Sequence, residues 1–419
     1  MTITSTRSTA GRWPGLDDVP AGVRTAVSAR VARRLLVGAV DRLDVTVHVG
    51  EETYGRGGPA MTVHRPEELY ARLGRDGLIG FGEAYLTGAW SAEDLTGFLT
   101  VLAADIADLV PRPLQRARAL VQRRTPRAHR TTADRTRDLI AHHYDLSNEL
   151  FGLFLDESLS YSSALFDGDL GEATLPAQHR KIDRLLDQAG VGPGTRVLEI
   201  GTGWGELAIR AAARGATVHT VTLSSEQLAL ARQRVADAGL SDRVSIELCD
   251  YREVRGEYDA VLSVEMIEAV GHEYWPTYFR TLDRLLAPGG RAAIQAILMP
   301  HDRMLATRGS FTWINKYIFP GGFLPSARVI DEVTERHTSL RVTDRLAFGA
   351  DYAETLRRWD ESFLAERDRV LALGFDETFV RMWHFYLCYS RAGFASGYLD
   401  VQQLTLTRPG SVASARRRG

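Results

Sequence analysis

Three glycines and an acid stand close together near the middle of the chain, in Val197-Leu-Glu-Ile-Gly-Thr-Gly-Trp-Gly205. The residues before the glycines are typical of a buried strand, and a helical run, 206–214, follows them. Glycines at a strand-to-helix turn let the backbone approach a ligand closely. No Lys-Ser/Thr pair follows, which argues against a P-loop. Because Glu199 could meet an amino-bearing ligand, S-adenosylmethionine fits better than a dinucleotide. An ordinary βα turn is the alternative.

Polar residues also follow the next two predicted strands. Nucleoside-binding folds commonly place an acid at the end of strand two, but here only Thr222 and Gln227 are available to a ribose. The alternative is that Thr222 and Ser224 only cap the next helix, since Ser224 and Gln227 have the spacing of a capping box. After the third strand, Asp250-Tyr251 is predicted to meet the adenine. An ordinary loop acid is an equal alternative for Asp250.

Two carboxylates, Glu265 and Glu268, follow the fourth predicted strand. Open α/β sheets bind ligands at the carboxyl ends of their strands, and residues three apart could share one helical face. An acid among apolar neighbours is costly to bury without a partner, so Glu268 is either functional or salt-bridged. His272 could be a base, but a glycine-flanked histidine is more often a surface or capping residue.

The elements that must position these residues begin at about residue 136. Helices there alternate with predicted strands, which implies βαβ units and a parallel sheet. The strands are 196–200, 216–222, 244–248, 260–264 and 291–295, with a closing edge strand at 400–406. The alternation breaks at 299–345, where aromatic residues, including Phe311, Trp313 and Tyr317, predict an apolar lid.

At 419 residues the chain is expected to form two domains. We predict a disordered segment at 1–20, a small α+β domain at 21–110, an arginine-rich linker at 111–135 and the main α/β domain at 136–419. The net charge of −2 gives no global attraction to nucleic acid. No apolar run is long enough to span a membrane, and two cysteines offer neither a metal spacing nor a disulfide framework. A cytoplasmic location follows as the expectation.

Six motifs together resemble the cyclopropane fatty acid synthases, S-adenosylmethionine-dependent enzymes that act on cis double bonds of lipid acyl chains. The match runs in order from about residue 142 to the C-terminus, and the first domain is more loosely similar to the N-terminal region of longer bacterial members. The resemblance implies a class I, Rossmann-like methyltransferase fold. The motifs are His143-Tyr-Asp-Leu-Ser-Asn-Glu-Leu-Phe, Ser160-Tyr-Ser-Ser-Ala-Leu-Phe166, the glycine turn, Val221-Thr-Leu-Ser-Ser-Glu-Gln227, Glu265-Met-Ile-Glu-Ala-Val-Gly-His272 and Tyr317-Ile-Phe-Pro-Gly-Gly.

The resemblance also implies a set of site residues. The cofactor is expected to contact Tyr161, Ser162, Gly201, Gly203, Thr222 and Gln227. A bound bicarbonate ion serves as general base in the family, and its ligands here would be Ser163, Glu268, Gln295, Ile297 and Tyr352. Many members have histidine where this chain has Gln295. Glutamine can hydrogen-bond an anion but cannot carry a proton, which puts a proton relay through this position in doubt.

Two products are compatible with this chemistry. Methyl transfer to an alkene leaves a carbocation; direct proton loss closes a cyclopropane, whereas a hydride shift before proton loss gives an exocyclic methylene. A flavin- or NADPH-dependent reductase partner could turn the methylene into a methyl branch. Only two lysines stand among 51 basic residues, a bias that suggests a GC-rich actinobacterium. We therefore predict 10-methylene stearoyl formation on an oleoyl phospholipid, as precursor of 10-methyl stearate. Cyclopropane synthesis is the alternative.

Other classes and partners follow from the remaining features. A small-molecule or nucleic-acid methyltransferase could use the same fold. A non-catalytic lipid-binding protein would suit a lipid-associated first domain and the lid, but would leave the glycine turn unexplained. The arginines of the linker could touch phospholipid headgroups at the inner membrane face, or lie on a solvated helix. A homo-oligomer is also compatible with the sequence.

Overall fold

The computed structural model describes residue 13, residues 15–105 and residues 147–409. The chain divides into two compact units. The first comprises Met1–Val121 with Gly374–Ala392, and the second comprises Gln122–Leu373 with Gly393–Gly419. The predicted arginine-rich linker, the start of the His143 motif and most of the predicted disordered segment lie outside the described residues.

The first unit combines a four-stranded sheet with helices. Strand β1 pairs in parallel with β3, and the other pairings are antiparallel, in the order β2-β1-β3-β4. Trp90 is fully buried in this unit, and its indole donates to the carbonyl of Phe81. The strands are β1 Thr46–Val49, β2 Glu52–Tyr54, β3 Ala60–Val63 and β4 Trp90–Ala92, and the helices are α1 Val23–Val40, α2 Pro66–Asp76, α3 Leu78–Leu86 and α4 Leu95–Ala104.

The disorder predicted for residues 1–20 is wrong for the described residues at the end of that range. Leu16 is buried, and its carbonyl accepts a hydrogen bond from Arg72 at 2.5 Å. The Gly/Pro-rich composition of the segment suggested a mobile tail. The hydrogen bond from Arg72 instead holds the buried Leu16 against α2.

The boundary predicted for the main domain also needs correction. A late helix, Glu377–Ala395, joins the first unit as far as Ala392. Arg381 donates to the Tyr85 carbonyl at 2.6 Å, and the rings of Phe385 and Tyr85 lie 5.2 Å apart. Partners about 300 residues apart in sequence leave no local pattern, so a contiguous domain was the wrong inference.

The second unit is built on a seven-stranded sheet in the order β10-β11-β9-β8-β5-β6-β7. The run from β9 to β7 is parallel, and β11 is antiparallel to both of its neighbours. The strand predicted at 400–406 as a closing edge is therefore internal. The edge strand on that side of the sheet is β10, which lies largely in the predicted lid. The strands are β5 Arg196–Ile200, β6 Thr217–Thr222, β7 Val244–Leu248, β8 Tyr258–Val264, β9 Leu286–Leu298, β10 Arg341–Ala347 and β11 Asp400–Thr407.

Helices cover both faces of this sheet. Because side chains alternate along a strand, Val197 packs in the cluster on one face and Leu198 in the cluster on the other. The described helices are not long and apolar enough for any of them to cross a membrane. The helices of the second unit are α5 Asn148–Gly152, α6 Thr174–Ala189, α7 Glu206–Ala213, α8 Ser225–Asp237, α9 Trp275–Leu285, α10 His301–Thr307, α11 Trp313–Tyr317, α12 Ala327–His337, α13 Gly349–Ala365 and α14 Arg367–Ala372, with a 3-10 turn at His272–Tyr274. The late helix α15, Glu377–Ala395, belongs to the first unit as far as Ala392.

Candidate active site

A cavity opens at the carboxyl ends of β5, β6, β7 and β8, where parallel sheets of this kind bind ligands. The structure brings all nine predicted cofactor residues to its wall. They are Tyr161, Ser162, Glu199, Gly201, Gly203, Thr222, Gln227, Asp250 and Tyr251. Lys181 and Glu265 line the same cavity.

The glycine turn between β5 and α7 shapes one wall. Gly201 has a φ of +96°, and a Cβ there would lie 2.8 Å from the Met266 sulfur, so any side chain would force a displacement. Gly203 has a φ of +53° and no atom within 4 Å of a built Cβ. A side chain at 203 would therefore extend into open space at the cavity wall. The turn requires glycine at 201 because of crowding, and at 203 it leaves room for a ligand.

The wall beyond β6 confirms Ser224 as the cap of the next helix, without the reciprocal bond of a capping box. The Ser224 hydroxyl accepts from the Gln227 backbone amide at 3.2 Å and caps α8. The Thr222 hydroxyl donates to the Gln227 side-chain oxygen at 2.9 Å. Capping and cavity lining therefore coincide, since both Thr222 and Gln227 border the cavity.

Asp250, at the end of β7, is paired with its own neighbour. Its carboxylate accepts from Arg252 at 2.5 Å, and it also accepts from the Arg252 backbone amide at 2.9 Å. The two alternatives for this residue both remain, because it lines the cavity while forming a local ion pair.

Glu199 is buried at the end of β5, and burial raises the pKa of its carboxyl to about 8. Its Oε2 atom has no hydrogen-bond partner in the part of the chain that the structure describes. Lys181, on α6, is equally buried and donates to the Ser162 hydroxyl at 2.7 Å. Burial lowers the pKa of Lys181 to about 8, although four surrounding acids raise it. We did not predict Lys181; its being one of two lysines in an arginine-dominated chain was the available signal.

Glu265 collects three hydrogen bonds at the end of β8. Its Oε1 accepts from the Ser163 backbone amide at 3.0 Å and from Gln295 Nε2 at 2.8 Å. Its Oε2 accepts from the Tyr352 hydroxyl at 2.7 Å. Burial raises the pKa of Glu265, and these three hydrogen bonds with the charge of Lys181 act against that rise.

Glu268 lies close by but has different partners. Its Oε1 accepts from the Ile297 backbone amide at 2.5 Å, and its buried Oε2 has no hydrogen-bond partner among the described residues. Burial, reinforced by the charge of Glu265, raises the pKa of Glu268 to about 8. Unlike Glu265, it is not among the residues lining the cavity.

The predicted ligand set for bicarbonate therefore divides between two acids. Ser163, Gln295 and Tyr352 donate to Glu265, and Ile297 donates to Glu268.

The helical face that Glu265 and Glu268 were predicted to share is not formed, because the chain leaves β8 with a φ of +51° at residue 265 and forms turns rather than a helix. Sequence reasoning considered Glu265 but left it out of the predicted site.

The remaining predicted groups lie elsewhere. The ring of His272 packs against Phe323 at 5.6 Å and is absent from the cavity lining. Trp313 and Tyr317 contact each other at 5.2 Å, and these aromatic residues of the predicted lid do not border the described cavity either. Tyr161 does border it, stacked on Trp359 with ring centroids 5.3 Å apart.

Residues 131–404 match the family model described as mycolic acid cyclopropane synthetase. The chain belongs to this family. It is therefore an S-adenosylmethionine-dependent fatty acid methyltransferase, and the resemblance inferred from the motifs is confirmed.

Individual members of the family can be compared with it along most of their length. The tuberculostearic acid methyltransferase of Mycobacterium tuberculosis is 54% identical over 409 residues, 95% of this chain and 96% of the relative. The cyclopropane-fatty-acyl-phospholipid synthase of Escherichia coli K12 is 33% identical over 370 residues, which cover 86% of this chain and 93% of the relative. The crystal structure of mycolic acid cyclopropane synthase CmaA1 complexed with SAH and CTAB has a TM-score of 0.60 at 29% identity, covering 67% of this chain and 98% of that one.

Proposed function

We propose that this family member methylates the cis double bond of an oleoyl phospholipid and forms a 10-methylene stearoyl chain, the precursor of 10-methyl stearate. The observation that carries the proposal is its 54% identity, over nearly its whole length, to a tuberculostearic acid methyltransferase. Identity to the cyclopropane-forming relative from Escherichia coli is 33%.

The cavity fits S-adenosylmethionine by its own features. Glu199 Oε2, which has no hydrogen-bond partner among the described residues, suits the α-ammonium group, and the open space beside Gly203 suits close approach of a ligand to the backbone. We assign Thr222 and Gln227 to the ribose and Asp250 with Tyr251 to the adenine. Tyr161 and Ser162 complete the wall. When bound, the cofactor supplies an electrophilic methyl group, to which the alkene contributes the electron pair of the new carbon–carbon bond.

The residues of the chain position the alkene and protect the cation that follows. An alkene is a poor nucleophile, so alignment in a dry slot supplies much of the rate. The stacked rings of Tyr161 and Trp359 offer a face beside the cavity that stabilises positive charge. A hydride shift followed by proton loss to a weak base then gives the methylene.

Several further elements belong to the same proposal. Residues 299–345 act as a lid over the acyl chain, although their last part contributes to β10. The first unit and the arginine-rich linker contact the inner face of the membrane from the cytoplasm, and a flavin- or NADPH-dependent reductase consumes the methylene product. A homo-oligomer is compatible with this arrangement.

Cyclopropane synthesis on the same substrate is the second candidate. It is favoured by the family description itself and by the likeness to a crystallised cyclopropane synthase. The two products differ by whether a hydride shift precedes proton loss, so product analysis separates them.

Proton NMR of lipids recovered after incubation with S-adenosylmethionine and dioleoyl phospholipid tests the proposal. Vinylidene protons are the expected result, and upfield ring protons would replace it with the second candidate. If no product forms and calorimetry detects no cofactor binding, a non-catalytic lipid-binding protein becomes the better reading. If cofactor binds without product, the oleoyl phospholipid assignment fails.

Variants of two glycines test the cofactor assignment. Gly203 and Gly239 both have positive φ and no atom within 4 Å of a built Cβ, but only Gly203 borders the cavity. Gly203→Val is expected to weaken cofactor binding by about 10- to 100-fold, since the side chain would occupy the open space that the ligand fills, and extra volume in a filled site typically costs ~1–3 kcal/mol. Gly239→Val is the matched control. Equal binding by the two variants would remove the glycine turn from the site.

A further inference from the structure

We propose that the carboxylate of Glu265 takes the place predicted for bicarbonate and is the base that removes the proton from the methylated acyl chain. The proposal rests on the proposed function for its substrate. In this proposal a side chain of the protein, Glu265, does the work that bound bicarbonate does in the family.

The hydrogen-bond donors carry the argument. Three of the five predicted bicarbonate ligands, Ser163, Gln295 and Tyr352, donate to Glu265 at 2.7 to 3.0 Å. A carboxylate and a bicarbonate share a planar O–C–O group, so the same donors suit either. The Ser163 amide and the Tyr352 hydroxyl each have one proton to donate, and both are used. Bicarbonate therefore does not fit this site, because its donors are occupied and a neighbouring carboxylate would repel it.

The orientation of Gln295 supports the same arrangement. Its side-chain oxygen accepts from Gln403 Nε2 at 3.1 Å, on the adjacent strand β11. Gln403 Nε2 also donates to the Lys181 carbonyl at 2.9 Å. With its oxygen fixed in this way, Gln295 presents Nε2 to Glu265 as a donor. A glutamine that cannot carry a proton is sufficient here, because a carboxylate base needs no relay through this position.

The backbone at Glu265 is also unusual. Three non-glycine residues in the described part of the chain have a positive φ, and two of them, Leu159 and Glu265, line the cavity. Such conformations are strained and persist where the surroundings determine them, often at functional sites. The Glu265 amide donates to the Gln295 carbonyl at 2.8 Å, so both backbone and side chain of this residue are held by β9.

The step balances without a co-reactant. The electron pair of the breaking C–H bond becomes the π pair of the new double bond, and the proton passes to a Glu265 oxygen. The carboxylic acid returns its proton to water before the next turnover. Within the described part of the chain, Lys181, Glu268 and Tyr352 are the titratable groups that act on Glu265 or face it, and Lys181 is the cation among them.

Two substitutions at this residue separate a side-chain base from a bound ion. Glu265→Gln keeps the shape but cannot accept the proton, so turnover is expected to fall by at least about 100-fold, the usual range for loss of a general base, with cofactor binding retained. Glu265→Gly suits the positive φ and opens space among the donors, so it is expected to bind bicarbonate and regain part of its turnover when bicarbonate is added. The exposed Glu335→Gln is the control for the substitution itself.

The decisive readout is binding of carbon-13-labelled bicarbonate to the full-length protein, followed by NMR, together with turnover in carbon-dioxide-free buffer. Wild type is expected to show no bound signal and no loss of rate, and Glu265→Gly is expected to show the signal. A bound signal in wild type, with a rate that falls on depletion, would overturn the proposal; so would wild-type turnover in Glu265→Gln. The binding measurement needs no acyl product. Failure of the proposed function would instead appear as a wild-type enzyme without methylene product.

Discussion

Each of the two units of this protein contains a cluster of buried acids, and the two clusters are compensated in opposite ways. In the first, Glu68 and Glu83 lie beside the fully buried Arg72, at 2.9 and 3.8 Å. Burial alone would raise the pKa of Glu68, but hydrogen bonds from Thr87, Arg65 and Arg72 outweigh it and lower that pKa. In the second unit, burial prevails at Glu199, Glu265 and Glu268 and raises the pKa of each.

The difference is one of compensation. Glu68 and Glu83 each have an arginine within reach in the first cluster, whereas Lys181 is the cation that acts on both Glu199 and Glu265 in the second. Buried charge that is fully paired specifies structure, and breaking the pair is costly. Buried acids in excess of their partners have perturbed pKa values, and such groups cluster at functional sites. The comparison therefore assigns the first cluster to the fold and the second to chemistry.

Arg72→Met should give the largest effect. The variant leaves Glu68 and Glu83 buried without their shared cation and removes the donor to the Leu16 carbonyl. Breaking a buried pair typically costs ~3–5 kcal/mol, so chemical denaturation should show the first unit unfolding well before the second.

The exposed pair Arg33–Glu52 provides the control for that measurement. Arg33→Met should leave the unfolding free energy almost unchanged, because an exposed ion pair contributes little. Equal stability of Arg72→Met and wild type would mean that the cluster of Arg72, Glu68 and Glu83 is not structural. The contrast between a structural cluster and a functional one would then fail.

The backbone part of the site was predictable because its signals are local. The strand before Gly201, the glycine turn and the helix after it are contiguous, and the ends of parallel strands meet at one edge. Which of the two acids, Glu265 or Glu268, receives these hydrogen-bond donors was not predictable. It depends on donors 102, 30 and 87 residues away, on Ser163, Gln295 and Tyr352. Motifs place both acids at the strand end, but only the tertiary contacts distinguish them.

The protonation of Glu199 during cofactor binding shows whether this buried acid is paired by the ammonium group of the cofactor. With a pKa of about 8 it is largely protonated at pH 6.5 in the free protein. An ammonium group beside it stabilises the anion, so cofactor binding should release a proton below pH 8 and tighten as pH rises from 6 to 8. Calorimetry in buffers of different ionisation enthalpy should detect up to about one proton per site.

Glu199→Gln separates this effect from the nearby titration of Lys181, whose pKa is also about 8. The variant should lose most of the proton release while Lys181 remains. If proton release is the same in Glu199→Gln and wild type, the signal comes from Lys181, and Glu199 is a buried structural acid.

Glu268→Gln should give the smallest effect and sharpens the comparison inside the second unit. With a pKa of about 8, Glu268 is mostly neutral at pH 7, and a glutamine oxygen can accept from the Ile297 amide as the acid does. Turnover is expected to fall by no more than about tenfold, against at least about 100-fold for Glu265→Gln. Steady-state rates of both variants on dioleoyl phospholipid give the ratio. The opposite order would return the base to Glu268 and to an ion held beside it, because the three donors on Glu265 would then serve to position that residue rather than to prepare it for proton transfer.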